Sequence, residues 1–374
     1  SLNIMSKHIL MTVNVAWNIL NFRRPVVQAL LDAGHRVTVL APPDDTVAEL
    51  QAMGCKFRPL KMDAKGISPL SGIMMAVRMH REIRDLMPDA ILSYTIKNNI
   101  FGAMAARRLG IPFIPNVSGL GTAFLSGGAL QMVAESLYRN AFRYPETVFF
   151  QNADDRDLFI RRNLVLPDQT RILPGSGIDL ARFAASPAPG RGPAPKFLMI
   201  ARLIRDKGTL EYVDAARMVR ETHPDAEFRL LGPLGAENRN AIDENTVRGW
   251  QDEGVVTYLG ETDDVRPAIQ DADCVVLPSY REGSPRTLIE AAAMARPVIT
   301  TDVPGCRDVM DDGVTGLLCD VRDAESLADT CRQFIQMPPD AQAEMGMAGR
   351  HKMETEYDQK IVVDAYMAAL GGVC

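Results

Sequence analysis

The sequence predicts an α/β protein made of two doubly wound, Rossmann-like domains facing each other across a cleft. Three observations carry this expectation. The chain has 374 residues, more than the ~250–300 at which a single hydrophobic core stops growing. Short apolar runs alternate with helically spaced segments along both halves, the rhythm of βαβ units and parallel sheets. Between the halves, residues 184–195 read AASPAPGRGPAP. Four prolines and two glycines in twelve residues sustain neither a helix nor a central strand, so this run is expected to be the interdomain linker.

Taken in order, 8–13 (HILMTV) is a strand of apolar and β-branched residues. The segment 24–33 has helical spacing and closes at Gly34, a residue that tolerates the left-handed turn ending a helix. Strands follow at 36–40, 56–59, 90–93 and 113–117, with helical spacing over 72–87 and 100–109. After the Pro/Gly run, 196–200 (KFLMI) begins a second series, with strands at 227–231, 255–259, 274–277 and 298–300. Helices are expected at 210–222, 286–294 and 324–335, and a last one at 357–370. The expected division is therefore a first domain over 5–183, the linker over 184–195 and a second domain over 196–355. A terminal helix in 356–374 would pack back on the first domain.

Composition narrows the function classes. Hydrophobic residues make up 47% and charged residues 24%, ordinary values for a globular chain. The net charge of −6 speaks against generic nucleic-acid binding. Its distribution is uneven: residues 1–180 carry a balance of +5 and the remainder −11. A basic first half suits an anionic acceptor or an anionic membrane surface. Six scattered cysteines form no CxxC pair and read as reduced, structural thiols of a cytoplasmic protein. No apolar run approaches the ~20 residues that span a bilayer. The four residues before Met5 lack signal-peptide character, read as an expression remnant and are set aside.

The first strand runs into Asn14-Val15-Ala16-Trp17 rather than G-x-G-x-x-G, and no G-x-x-x-x-G-K-[ST] run is present. A dinucleotide enzyme or a P-loop NTPase would lack its basic apparatus. The informative stretch is 273–316. There an apolar strand ends in Pro278-Ser279-Tyr280-Arg281-Glu282-Gly283-Ser284-Pro285, which feeds the helix expected at 286–294. Unpaired amides and the positive dipole end at such a helix start attract anions, a diphosphate among them. Glu282 lies in the loop and Glu290 in the helix, an E-x7-E spacing. Upstream, Arg202 and Lys207 follow the carboxyl end of the 196–200 strand. Two cations there would stabilise charge growing on a diphosphate leaving group. Asp271-Ala272-Asp273 formally reads D-x-D but leads into an apolar strand, so no metal is expected.

The second half resembles family 4 of the retaining glycosyltransferases, the "glycosyl transferases group 1" type with the GT-B fold. The matching pieces are ARLIRDKG at 201–208, the Leu231-Gly232 ending, TYLG at 257–260 and the run ADCVVLPSYREGSPRTLIEAAAMARPVITTDVPGCRDVMDDGVTGLL at 272–318. More loosely, SYTIKNNIFG (93–102) and NVSGLGTAF (116–124) are similar to bacterial members that extend undecaprenyl-diphosphate-linked sugars, the N-acetylgalactosaminyltransferases of N-glycosylation among them. The resemblance implies a hexosyltransferase that uses a UDP-sugar as co-substrate, with retention and without metal or other cofactor. It implies that Arg202 and Lys207 hold the donor diphosphate and that Glu282 binds donor-sugar hydroxyls. Backbone groups of Gly283, Ser284 and Leu288 would approach sugar and phosphate. Glu290 would accept from the ribose hydroxyls, and Leu259, Gly260 and Glu261 would lie near the base. On the acceptor side it implies a loop at Gly119, Leu120 and Gly121 closing over the ligands, with Thr95 and Lys97 nearby. The chain departs from many relatives in lacking a histidine at 95–97, a glycine at position 201 and a glycine pair after the first strand.

A lipid-linked acceptor would need a surface that meets the bilayer. Residues 72–84 and 127–143 combine apolar residues with arginines, a pattern shared by interfacial helices and by helices packed on a sheet. The expectation is a cytoplasmic protein attached peripherally to the inner face of the membrane, in polysaccharide or glycoprotein glycan synthesis. Two other readings stay open: a UDP-sugar 2-epimerase of the same fold, and an inactive nucleotide-binding scaffold.

Overall fold

The computed structural model describes residues 5–63, 69–119, 127–190, 192, 195–235 and 237–373. They form two compact units: 1–177 with 359–374, and 178–358.

The first unit is a seven-stranded parallel sheet. Its strands in chain order are β1 (His8–Thr12), β2 (Arg36–Ala41), β3 (Lys56–Pro59), β4 (Ala90–Tyr94), β5 (Phe113–Val117), β6 (Val148–Phe150) and β7 (Thr170–Ile172). They lie side by side as β3-β2-β1-β4-β5-β6-β7. Leu10 of β1 stands opposite Thr38 on one side and Ile91 on the other. Nearly every residue of β1, β2, β4 and β5 is buried, as expected of parallel strands covered on both faces. Helices α1 (Ala16–Phe22), α2 (Arg24–Asp32) and α3 (Val47–Met53) cover one face. Helices α4 (Pro69–Leu86), α5 (Ile96–Leu109), α6 (Gly128–Ala141) and α7 (Ala153–Arg161) cover the other.

The second unit has six parallel strands: β8 (Lys196–Ile200), β9 (Glu227–Leu231), β10 (Thr257–Tyr258), β11 (Cys274–Leu277), β12 (Val298–Thr301) and β13 (Gly316–Cys319). Their order is β10-β9-β8-β11-β12-β13. One face is covered by α8 (Thr209–Thr222), α9 (Glu244–Glu253) and α12 (Ala324–Gln336). The other is covered by α10 (Arg266–Gln270), α11 (Arg286–Ala293) and α13 (Pro339–Glu356). The side chains of Asn152, Asp243 and Asp323 cap α7, α9 and α12 by accepting an amide three residues on, the usual way a helix start is satisfied. The doubly wound class expected from the sequence is the one observed, twice.

The linker expected at 184–195 requires a correction, because its described residues, 184–190, 192 and 195, lie inside the second unit rather than between the two. Residues 184–190 form no helix or strand, yet two of their carbonyls have a partner that the sequence did not reveal. Arg296 is fully buried and donates to the Ser186 and Pro187 carbonyls at 2.6 and 3.0 Å. The chain instead passes between units at 177/178 and 358/359. The last helix, α14 (Gln359–Val373), belongs to the first unit. Its Val362, Tyr366 and Leu370 are buried in the same core as α1 to α3, and Phe149 meets the Tyr366 ring at 5.1 Å.

Candidate donor site

In each sheet the strand order reverses once, between β1 and β4 in the first unit and between β8 and β11 in the second. Ligands of such sheets bind outside the carboxyl ends of the strands at that reversal. In the second unit this is where the sequence-singled residues converge. The turn after β8 carries Arg202 and Lys207, and the loop after β11 carries Glu282.

Two glycines permit the close fit. Gly208 has φ +79°, and a Cβ there would lie 1.9 Å from the Pro278 carbonyl oxygen. Gly305 has φ +85°, and its Cβ would lie 1.9 Å from the Glu282 carbonyl oxygen. Any larger residue at either position would push the loop off its neighbours. The loop is also bonded down: the Tyr280 amide donates to the Asp206 carbonyl at 2.9 Å and the Glu282 amide to the Pro304 carbonyl at 3.2 Å.

The result is a contact between residues far apart in sequence. Lys207 Nζ stands 2.6 Å from Glu282 Oε1, with their side chains 24% and 13% exposed, so a ligand can still reach the pair. The buried Ser279 hydroxyl donates to the same Glu282 oxygen at 2.9 Å. Both contacts fall on Oε1, which leaves Oε2 as an acceptor for a ligand. Arg202 is exposed and makes no side-chain hydrogen bond or ion pair among the described residues, so its guanidinium is open to an anion.

Glu290 sits on α11 with its side chain 13% exposed and Oε1 3.8 Å from Arg286 Nε. Burial pushes its pKa up, the charges of Arg286 and Arg182 pull it back, and Asp264 adds to the rise. A carboxylate held this dry accepts hydrogen bonds from a diol more strongly than one in water. Gly283 and Ser284 are half-buried. The Leu288 side chain is in the core, and its amide donates to the Pro285 carbonyl at 3.2 Å. At the β10 end, Leu259 is 42% exposed, Glu261 is exposed, and the Gly260 carbonyl accepts from the Gly232 amide at 2.8 Å.

Three participants were missed from sequence. Ser279 was noted only as part of a strand ending. Arg182, which acts on Glu290 through space, comes from a segment with no motif. Tyr280 lies in the loop that the sequence singles out, but nothing in the sequence marks its phenol's donation to Glu211 Oε1 at 2.6 Å. Of the D-x-D carboxylates, Asp271 pairs with Arg229 at 2.6 Å and Asp273 accepts the Lys196 amide at 2.8 Å. Among the described residues no group of three or more His, Cys, Asp or Glu is placed to hold a metal.

In the first unit Thr95 follows β4 with φ 73°, an uncommon conformation for a β-branched residue. Its hydroxyl lies 2.8 Å from the Asn98 amide oxygen and accepts the Asn14 amide at 3.2 Å. Asn98 donates to Thr12, and Thr12 to the Leu40 carbonyl, both at 2.9 Å. Thr95 thus ties the ends of β1, β2 and β4 together. Lys97 Nζ donates to the Asp63 carbonyl at 2.7 Å, beside Arg78 and Phe101. Gly119 follows β5 and is half-buried. Leu120 and Gly121 lie outside the described residues.

Comparison with known proteins bears on the family and the fold. Residues 194–337 match the family described as glycosyl transferases group 1, and residues 22–175 match the glycosyl transferase 4-like domain. The chain is 26% identical, over 94% of each chain, to the N,N'-diacetylbacillosaminyl-diphospho-undecaprenol alpha-1,3-N-acetylgalactosaminyltransferase of Campylobacter jejuni. It is 24% identical, over 70% of each, to the UDP-Gal:alpha-D-GlcNAc-diphosphoundecaprenol alpha-1,3-galactosyltransferase of Escherichia coli. Anabaena HepE, solved in complex with UDP and glucose, superposes with a TM-score of 0.77 at 17% identity, over 98% of this chain and 100% of that one. With a glycosyl transferase 4-like domain in its first half and a glycosyl transferases group 1 domain in its second, on two doubly wound sheets of the GT-B class, the chain is a hexosyltransferase built from these two domains.

Proposed function

We propose that the protein transfers an N-acetylhexosamine or hexose, with retention, from a UDP-sugar to a sugar carried on a polyprenyl diphosphate. The observation that carries this reading is the Lys207–Glu282 contact at the strand-order reversal, with Arg202 open beside the same turn. On binding, the donor diphosphate takes Lys207 and Arg202, and the sugar hydroxyls take Glu282. The bond from the anomeric carbon to the diphosphate oxygen breaks while the acceptor hydroxyl adds to the same face. The departing phosphate oxygen receives the acceptor proton, so no protein base is required. Catalysis then rests on positioning and on cations aimed at the growing charge. No metal is assigned a part, and EDTA is expected to leave the rate unchanged.

The reading also places the first unit at an anionic lipid surface. On α4, Leu70, Ile73, Met74 and Val77 are exposed along one stripe, followed by Arg81 and Arg84. On α6, Leu130, Met132 and Val133 are exposed as well. No helix among the described residues is long and apolar enough to cross a membrane. Binding to phosphatidylglycerol vesicles that weakens as salt is raised, and is lost in Ile73→Glu/Val77→Glu, is the expected result. An unbound wild type would remove this part.

The principal test is binding and slow hydrolysis of a panel of UDP- and GDP-sugars. Lys207→Ala is expected to lower turnover by about 10²-fold or more, roughly 3 kcal/mol of transition-state stabilisation. Glu282→Ala is expected to abolish preference among sugars while UDP itself still binds. Failure of every nucleotide sugar to bind the wild type would overturn the reading.

A further inference from the structure

The two segments that meet in the Lys207–Glu282 pair are joined a second time, away from any atom assigned to the donor. Tyr280 stands two residues before Glu282, and its phenol donates to Glu211 Oε1 at 2.6 Å. Glu211 lies in the first turn of α8, four residues after Lys207. Arg322, from the turn between β13 and α12, places its guanidinium 4.4 Å from the centre of the Tyr280 ring. That residue holds φ 54°, a strained value for a side chain with a Cβ.

The two links differ in what donor binding does to them. The Lys207–Glu282 bond joins two groups that both have ligand to meet, so the donor replaces it with separate contacts to diphosphate and sugar. The Tyr280–Glu211 bond joins groups with no assigned contact to the donor, and it survives the exchange. From this we infer that Tyr280 is a positioning residue: it holds the Glu282 loop against the Lys207 turn once the donor has parted their side chains. The inference rests on the donor-site reading above and adds to it a loop residue to which that reading assigns no contact with the donor.

The bond is charge-assisted, the stronger class of hydrogen bond, and the other oxygen of Glu211 is buried without a partner. Removing the phenol alone would strand a buried carboxylate and confuse loss of position with loss of fold. Two variants are therefore needed. Tyr280→Phe keeps the ring under Arg322, and Tyr280→Phe/Glu211→Leu removes the bond without leaving a charge behind.

The probes are UDP and UDP-N-acetylgalactosamine, titrated calorimetrically, together with hydrogen exchange of the amides at 279–283. In both variants UDP is expected to bind as in the wild type, because its contacts lie on Arg202, Lys207 and Glu290. The sugar nucleotide is expected to bind about 10-fold more weakly, kcat to fall at least 10-fold, and KM for the acceptor to stay unchanged. The Tyr280 and Glu282 amides, bonded to Asp206 and Pro304, are expected to exchange faster. Equal weakening of UDP and sugar nucleotide would mark a merely structural role and overturn the inference. So would wild-type values for both affinity and exchange in the double variant. If the wild type binds neither probe, the donor reading falls, and the exchange measurement still decides whether Tyr280 secures the loop.

Discussion

At the scale of single residues, Glu290 and Arg296 show burial acting on charge with two different remedies. Glu290 has its proton affinity raised by burial, with Arg286 and Arg182 opposing only in part. The folded chain therefore holds that proton more tightly than the unfolded one, whose value is 4.5. This contribution to stability is complete below that value and is lost as pH rises through the higher folded value. Glu290→Gln removes the dependence. The variant is expected to melt above the wild type at neutral pH, and the difference should close as pH falls toward 4.5. Its donor affinity should drop, because an amide accepts from the ribose diol less well than a carboxylate; melting curves and UDP titration across pH check both. Arg296 is fully buried and keeps its charge by donating to the backbone carbonyls of Ala272, Ser186, Met294, Pro187 and Gln270. Arg296→Met would leave those oxygens dry, costing on the order of 3 kcal/mol in denaturant unfolding. The variant should also open the 184–190 segment to proteolysis.

At the scale of elements, what could be read was whatever the chain writes as an apolar run. The strands at 56–59, 113–117, 196–200, 227–231 and 274–277 match β3, β5, β8, β9 and β11 to the residue. The run 255–259 shrinks to Thr257–Tyr258 in β10, because Val255 and Val256 are buried in the core ahead of the strand. β6 and β7 are three residues each, too short to show a period. α13 was missed for a packing reason. Its buried face is Met345, Gly346, Gly349 and Met353, and glycines do not register as an apolar stripe. They are there because α11 and its exit lie so close: a Cβ on Gly346 would be 2.2 Å from the Ala295 carbonyl oxygen. Gly346→Ala is therefore expected to destabilise the second unit by about 1–3 kcal/mol through overpacking, although alanine is the better helix former. A gain in Tm would show that α13 can shift. The site was legible where the motif is local, as in the loop carrying Glu282. It was not legible where its supports arrive from elsewhere, as with Arg182, Glu211 and Arg322.

At the scale of the whole molecule, the chain is two cores whose boundaries do not follow its order. α14 is last in sequence, yet Tyr366 is fully buried among Tyr94, Ile114 and Phe149 of the first unit. Arg202, Lys207, Glu282 and Glu290 all belong to the second unit. A crossed experiment follows from this division. Tyr366→Ala removes a buried aromatic, worth about 3–5 kcal/mol, and should lower the melting of the first unit by on the order of 10 °C. UDP at about 100 times its Kd adds roughly 2.7 kcal/mol to whatever binds it, and should raise the melting of the second unit by about 5–10 °C. Calorimetry of wild type and variant, each with and without UDP, separates the effects. The expected outcome is two transitions, the substitution moving one and the nucleotide the other. A single transition that moved under both would mean that the cores unfold as one. A nucleotide effect confined to the first unit's transition would place the donor away from Arg202, Lys207 and Glu282.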